Sequence, residues 1–409
     1  MPHDVVSLAA IAVFVATYAV VAFGAAPPLR IDRAGAALVG GALMFGLGAL
    51  SHDEVFAAID YDTIILLLGM MIVAANLQLS GFFELAIRAV VARVRRPLTL
   101  LAAVVAASGV LSAFLVNDTI CVVLTPLVVT LALRLGRDPV PYAIAIAVSS
   151  NIGSVATITG NPQNMIIGSL SGARYLDFAA ALAPVAAVGL ALAFAAVALS
   201  FRREFFAGVR FPAPAGDAAP ARVNRPLAAK TALVTVAMIA AFFAGAPVAT
   251  AAILAGAALL LTRRVKPARV WAEIDWPLLV MFAGLFVVTA GLKKVAVTPE
   301  LVAWVAGLGL DHVATLSLVT AALSNVVSNV PAVLVLEPFV APLADPQRAW
   351  LVVAMASTLA GNFTLVGSVA NLIVAERARK LGVELSFWTY LRVGAPLTVA
   401  TVAVGILLL

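Results

Sequence analysis

Four short polar runs interrupt an otherwise apolar chain, and their residue types could bind ions. They are Val116-Asn117-Asp118-Thr119; Ser149-Ser150-Asn151-Ile152-Gly153 with Thr157 and Gly160-Asn161-Pro162-Gln163-Asn164; Ser324-Asn325 with Ser328-Asn329-Val330-Pro331; and Gly361-Asn362-Phe363-Thr364 with Gly367-Ser368 and Asn371. Asn, Asp, Ser and Thr are good helix N-caps, and Pro is tolerated in a first helical turn. Asn161-Pro162, and Ser328-Asn329 before Pro331, therefore read as places where a helix restarts. Each restart presents unpaired backbone N–H groups at the positive end of a helix dipole, which suits an anion. The amide and hydroxyl oxygens, with carbonyls freed at the ends of the preceding half-helices, suit Na⁺. Asp118 adds an ionisable group able to carry a proton.

The elements that hold these runs are membrane helices. Of 409 residues, 63% are hydrophobic and only 11% charged, against about 45–50% and 25% in soluble domains. A cytosolic enzyme and a disordered chain are both excluded by this composition. The net charge of +6 reads as an excess of basic residues on the cytoplasmic side, not as nucleic-acid binding. Cys121 is the single cysteine, so neither a disulfide framework nor a multi-thiol metal site exists. Met1-Pro2-His3-Asp4 carries no Lys or Arg before its apolar stretch, so the N-terminus is expected to be a first span rather than a cleaved signal.

Charge-free runs near the length of a bilayer span predict ten crossings, with Pro97–Leu133 and Val313–Leu343 each folded into a re-entrant hairpin. Orientation decides for hairpins. With them, only Arg174, Lys293, Lys294 and Arg348 among the basic residues fall outside, and both termini are outside. The halves resemble each other. Ile59-Asp60-Tyr61 matches Ile274-Asp275-Trp276, and Asn117 and Pro126 match Asn329 and Pro338. At another constant spacing, Ser150, Thr157, Gly160, Asn164 and Ile166 match Ser357, Thr364, Gly367, Asn371 and Ile373. Residues 1–200 are thus expected to form a first repeat, with hairpin 97–135 and broken helix 139–170. Residues 201–230 are the cytoplasmic linker, and 231–409 the second repeat, with hairpin 313–343 and broken helix 349–376. Five crossings per repeat make the second copy inverted, a pattern of secondary transporters with a midplane site.

One such break alone would read as a packing kink, because Gly, Ser, Thr and Pro are common in membrane helices. Four, paired across a repeat, favour function. Asp118 is the sharpest residue, and Val330 in the other half breaks the symmetry, so two equivalent coupling sites are not expected. Glu337 lies on the second arm of the other hairpin, lining an exit path or facing the outer boundary. Glu84 starts an interfacial amphipathic segment, and Asp53, Glu54, Asp60 and Asp62 form a solvated acidic outer loop. His3, His52 and His312 make no cluster, and Cys121 reads as a packing thiol. No Gly-x-x-x-x-Gly-Lys-Ser/Thr loop is present, so the chain does not hydrolyse ATP, and no enzyme constellation is found.

The hairpin tip Phe114-Leu115-Val116-Asn117-Asp118-Thr119 with Leu124-Thr125-Pro126, the run from Asn151 to Asn164, and the matching motifs at 328–331 and 361–371 resemble the citrate-transporter-like, arsenite-permease-like branch of the ion transporter superfamily. This branch includes divalent anion/sodium symporters and sodium/proton antiporters of the NhaD type. The resemblance implies a homodimer with a scaffold and a mobile transport domain working as an elevator. Symporters of the superfamily carry Ser-Asn-Thr at both tips, whereas here the tips read Asn117-Asp118-Thr119 and Ser328-Asn329-Val330. Asp118 is more similar to the acidic tip of the arsenite permeases.

The expectation is an all-α polytopic protein of the cytoplasmic (inner) membrane. It would move a small anion (an arsenite-like oxyacid, carboxylate or inorganic anion) coupled to H⁺ or Na⁺, with no other cofactor. One half-site is Asn117, Asp118, Thr119, Ser150, Asn151, Gly153, Thr157, Gly160, Asn161 and Asn164. The other is Ser328, Asn329, Asn362, Thr364, Gly367, Ser368 and Asn371, with Na⁺ at Asn117, Asn151, Asn329 and Asn362. The alternatives are a Na⁺/H⁺ antiporter of the same fold and an anion channel.

Overall fold

The computed structural model describes residues 3–23, 25–26, 31–208, 210–211, 223–262 and 264–409. The chain opens with α1 (His3–Phe23), a two-residue strand pair (β1 Ala25–Ala26, β2 Ile31–Asp32), α2 (Arg33–Gly46), α3 (His52–Ala58), α4 (Tyr61–Ser80) and α5 (Phe82–Arg93). Next come α6 (Pro97–Phe114), α7 (Asn117–Arg134), α8 (Val140–Ser154), a 3₁₀ turn (Ile158–Gly160), α9 (Pro162–Ser171), α10 (Tyr175–Ser200) and α11 (Arg202–Phe205). The remainder is α12 (Arg225–Phe243), α13 (Val248–Leu260), α14 (Pro267–Trp271), α15 (Trp276–Ala296), α16 (Pro299–Ala306), α17 (Val313–Val327), α18 (Asn329–Val340), α19 (Pro346–Ala360), α20 (Val369–Arg379) and α21 (Phe387–Leu408). Part of the expected linker, residues 209 and 212–222, lies outside the described residues, as do Arg30 and Arg263. Helix α12 already starts within it.

The protein is an all-helical membrane protein. Among the described residues, eight helices are long and apolar enough to cross a bilayer, and a helix satisfies its own backbone there. Both suspected hairpins are helix pairs broken at or beside the polar residues: α6 and α7 part at Leu115-Val116, just before Asn117, and α17 and α18 at Ser328. Each suspected broken helix is likewise two helices, α8 with α9 and α19 with α20. A turn at Gly245, in the left-handed region at φ +89°, separates α12 from α13.

The helices sort into two packed groups. In one, α2 lies along α15 and α4 along α13, with α1 and α12 alongside; in the other, α6 packs on α8, α17 on α19, and α10 on α21. Matching contacts recur at the offset that separates Asp60 from Asp275. Asp60 caps α4 by accepting from the Thr63 N–H at 3.2 Å, and Asp275 caps α15 by accepting from that of Leu278 at 3.0 Å. Gly69 of α4 faces the backbone of Ala252 of α13, where a Cβ would sit 2.6 Å from the carbonyl carbon. Gly284 of α15 faces Ala37 of α2, where the corresponding distance is 2.5 Å. Only glycine permits these approaches.

Two expectations change in the structure. The acidic loop does more than meet solvent: Glu54 closes a capping box with Ser51 and pairs with Lys294 at 2.7 Å. Ser328 occupies the N-cap position of α18 but makes no side-chain cap, its backbone lying at φ +77° and ψ 162°. Glu337 binds Lys293 of α15 at 2.7 Å. The Cys121 thiol is buried, 3.0 Å from the Ser150 hydroxyl.

Candidate functional site

Three of the four interrupted segments meet through a network of buried amides centred on Asn151. The Asn117 Nδ2, on the first residue of α7, donates to the Asn151 Oδ1 of α8 at 3.0 Å. The Asn151 Nδ2 in turn donates to the Asn362 Oδ1 at 2.9 Å and the Asn371 Oδ1 at 3.1 Å. The Ser368 hydroxyl donates to the Asn151 Oδ1 at 3.3 Å. Asn151 thereby joins residues more than half the chain apart. In the reciprocal position, the Thr358 Oγ1 of α19 accepts from Asn161 at 3.2 Å and from Gln163 at 3.1 Å.

Other expected site residues shape the two bends. The Asn164 Nδ2 donates to the carbonyls of Ser154 at 3.1 Å and Thr157 at 2.9 Å. The Asn371 Nδ2 does the same to Gly361 at 2.7 Å and Thr364 at 3.1 Å. Asn161 caps α9 through the Asn164 N–H at 2.9 Å, and Ser368 caps α20 through that of Ala370 at 3.2 Å. Gly160 lies against the Ser154 carbonyl, and Gly367 against that of Gly361. Gly153 abuts the Gly109 backbone, the Thr157 hydroxyl donates to the Ala113 carbonyl, and the Ser150 hydroxyl donates to that of Ala147 at 2.9 Å. These residues hold the bends, and of them only Ser368 also lines the central space.

That space is a cavity of about 50 Å³, lined by Asn117, Asp118, Pro162, Gln163, Ser328, Asn329, Val330, Pro331, Ser368 and Val369. These belong to the starts of α7, α9, α18 and α20, so four helix N-termini converge there. Each contributes partial positive charge. Arg33, at the start of α2, lines the same cavity with Val21, Leu278, Met281 and Phe282. Asn117 is 4% and Asn329 9% exposed, and neither Oδ1 has a hydrogen-bond partner. Buried amide oxygens are normally satisfied, so these two are free to accept from a ligand or to coordinate a cation. The oxygens of Asn151 and Asn362 already accept hydrogen bonds inside this network. Of the four residues expected to hold Na⁺, Asn117 and Asn329 are the two whose amide oxygen has no hydrogen-bond partner.

Two larger cavities flank the centre. One, about 370 Å³, is lined by Gln78, Asp118, Thr119, Glu273, Asp275 and Arg377. The other, about 270 Å³, is lined by Asp60, Phe286, Thr289, Ala290, Lys293, Leu334 and Glu337. Met71, Ala74, Ala75, Gln78 and Asp275 of the first correspond to Phe286, Thr289, Ala290, Lys293 and Asp60 of the second at a single offset. Asp118 is half-buried between the central and larger cavities. Sequence reasoning missed Arg33, Gln163 as a cavity residue, and Thr358. The available signal for Arg33 was that its counterpart in the second half is Val248.

A family model described as "Citrate transporter" matches residues 12–360. The chain belongs to the citrate transporter family. Within and around this family, an uncharacterized transporter of Mycobacterium tuberculosis is 31% identical over 98% of this chain and 97% of its own length. A silicon efflux transporter of Oryza sativa subsp. japonica is 30% identical over 99% of this chain and 97% of its own. The putative transporter arsB of Dictyostelium discoideum is 24% identical over 92% and 87%, respectively. The crystal structure of the Alcanivorax borkumensis YdaH transporter superposes with a TM-score of 0.65 at 16% identity, covering 100% of this chain and 97% of that one. The citrate transporter family fold is therefore shared with a solved transporter, and the chain is a multi-pass membrane transporter.

Proposed function

We propose that this member of the citrate transporter family is a secondary active transporter of a small anion coupled to H⁺ or Na⁺. The observation that carries this reading is the central cavity, where four helix N-termini and two unpaired amide oxygens surround Asp118. The N-termini and Arg33 favour the anion. The oxygens of Asn117 and Asn329 suit Na⁺, and Asp118 suits a proton. Arsenite-like oxyacids, carboxylates and inorganic anions all belong to this class, and relatives named for silicon and for arsB agree with an oxyacid.

The movement we propose is elevator-like. The two packed helix groups supply a frame of α2, α4, α13 and α15 and a carrier containing the broken helices. The exchanged packing of α2 on α15 and α4 on α13, with matched caps and matched flanking cavities, supports an inverted repeat of residues 1–200 and 231–409 around linker 201–230. In this reading the protein is a homodimer of the inner membrane with both termini outside. The 370 Å³ cavity then faces the cytoplasm, and the Lys293–Glu337 pair closes the opposite path.

Purified protein in liposomes with imposed pH or Na⁺ gradients, offered arsenite, citrate, succinate and sulfate, tests the proposal. Gradient-dependent uptake of one member is expected, and Asp118→Asn changes its coupling. Normal transport with unchanged coupling in Asp118→Asn overturns the role of that residue. Na⁺-driven proton movement without anion uptake assigns the antiporter reading, which Asp118 beside free amide oxygens favours second. Flux that ignores the gradient, with conductance in planar bilayers, assigns a channel.

A further inference from the structure

We infer that Arg33 is the side chain that recognises the charge of the transported anion. The inference deepens the transport reading and rests on it for its physiological meaning. Among the described residues, Arg33 is the one basic side chain lining the central cavity, and Asp118 the one acidic side chain. Neither forms an ion pair, with each other or with another described residue. The carboxylate beside Arg33 in sequence, Asp32, is engaged elsewhere, accepting from the Gly35 N–H at 2.8 Å.

An unpaired charge in a partly desolvated place is costly unless a counter-ion arrives. Arg33 is half-buried, so its lack of a partner marks a place where a partner binds. The repeat sharpens this. At the offset relating α2 to α13, Arg33 corresponds to Val248, and at the separate offset relating the two hairpins, Asp118 corresponds to Val330. Both departures fall in the first half, carry opposite charge, and open on one cavity. Packing alone explains neither, because apolar counterparts start the corresponding helix and the corresponding hairpin arm.

Guanidinium is planar, weakly hydrated and geometrically matched to two oxygens of a carboxylate or oxyanion. The cavity of about 50 Å³ has room for about three to five waters. It therefore takes one carboxylate group or one small inorganic oxyanion, not a whole large organic acid. Four helix N-termini reinforce the same sign of ligand, and the free oxygens of Asn117 and Asn329 accept from any hydroxyl it carries.

Binding and flux test this separately. Thermal unfolding of the purified full chain in detergent is followed with sulfate, succinate or citrate, and with arsenous and orthosilicic acids as solutes uncharged at neutral pH. An anion should stabilise the wild type. Arg33→Gln should need at least about tenfold more of it for half the effect, since a hydrogen-bonded charge is lost, and Arg33→Lys should recover most of that loss. A purely structural arginine would lower the unliganded Tm without moving the half-effect concentration, and that result overturns the inference. Equal protection of wild type and Arg33→Gln by orthosilicic acid alone, or no protection of the wild type by any anion, also overturns it. Anion stabilisation that depends on Arg33 without gradient-driven uptake in liposomes would instead support the binding role and reject the transport reading.

Discussion

Replacing Asn151 by Ala should be among the most damaging single changes in this protein. Its side chain is 1% exposed and makes four hydrogen bonds, to Asn117, Ser368, Asn362 and Asn371. Removing it leaves the Asn117 amide with neither end satisfied, since its Oδ1 is already unpaired. The Asn371 amide cannot turn to compensate, because its Nδ2 is tied to the carbonyls of Gly361 and Thr364. Side-chain hydrogen bonds measured in a membrane protein average about 0.6 kcal/mol, whereas in soluble proteins they average about 1 kcal/mol. Four bonds with stranded partners therefore correspond to a loss of about 2–5 kcal/mol. Equilibrium unfolding in mixed micelles would measure it, with Ser149→Ala as the control. The Ser149 hydroxyl is equally buried but has no partner, so that change should be nearly neutral. A double-mutant cycle with Asn362→Ala should show coupling of about 0.5–3 kcal/mol. If Asn151→Ala costs no more than Ser149→Ala, the amide network does not join the two broken helices.

Gly69→Ala and Gly284→Ala should each cost about 1–3 kcal/mol in the same unfolding assay, because the added carbon meets backbone, and the two costs should be similar. Ser328→Gly should stabilise by about 1 kcal/mol and Ser328→Ala should not, since the backbone there lies in a region that only glycine occupies without strain. Arg137 and Glu204, 13% and 11% exposed at the side chain, pair at 2.7 Å, so Arg137→Gln alone should cost about 3–5 kcal/mol, while an apolar pair such as Arg137→Met with Glu204→Leu should cost less. Lys294, with the Ser51 backbone and hydroxyl, holds the Glu54 carboxyl at about 2; its contribution to stability is full above about pH 4.5 and is lost as pH falls toward 2. Unfolding measured across that window should show this loss in the wild type and not in Glu54→Gln.

The breaks themselves were legible in the sequence because polar backbone at membrane depth must be buried or line a cavity. The residues at which helices restart there, Asn117, Asn161, Ser328 and Ser368, stand out against apolar neighbours. Their pairing across the chain also located the bends at 154–164 and 361–371. The wiring of the amide network was not legible, since which oxygen faces which nitrogen depends on how α8 meets α20. Arg33 was hidden for a related reason: counted by charge it belongs to a loop, and only the placement of α2 beside α15 turns it toward the centre. Glu54 and Lys294 lie 240 residues apart, too far for local pattern to connect. The positive φ of Ser328 is a property of tertiary closure, and nothing in Val327-Ser328-Asn329 announces it.

The exchanged packing of α2 with α15 and α4 with α13 bears on how the chain is made. When residues 1–200 have left the ribosome, the glycine faces of α2 and α4 still lack their partners, which are synthesised only after residue 248. The first half must therefore wait in the bilayer with its tightest contact surface open. Its assembly is governed by contacts distant in sequence, the slow and error-prone kind. A chain truncated after α10 should insert yet remain a target for quality control, and supplying residues 223–409 as a separate polypeptide should rescue it.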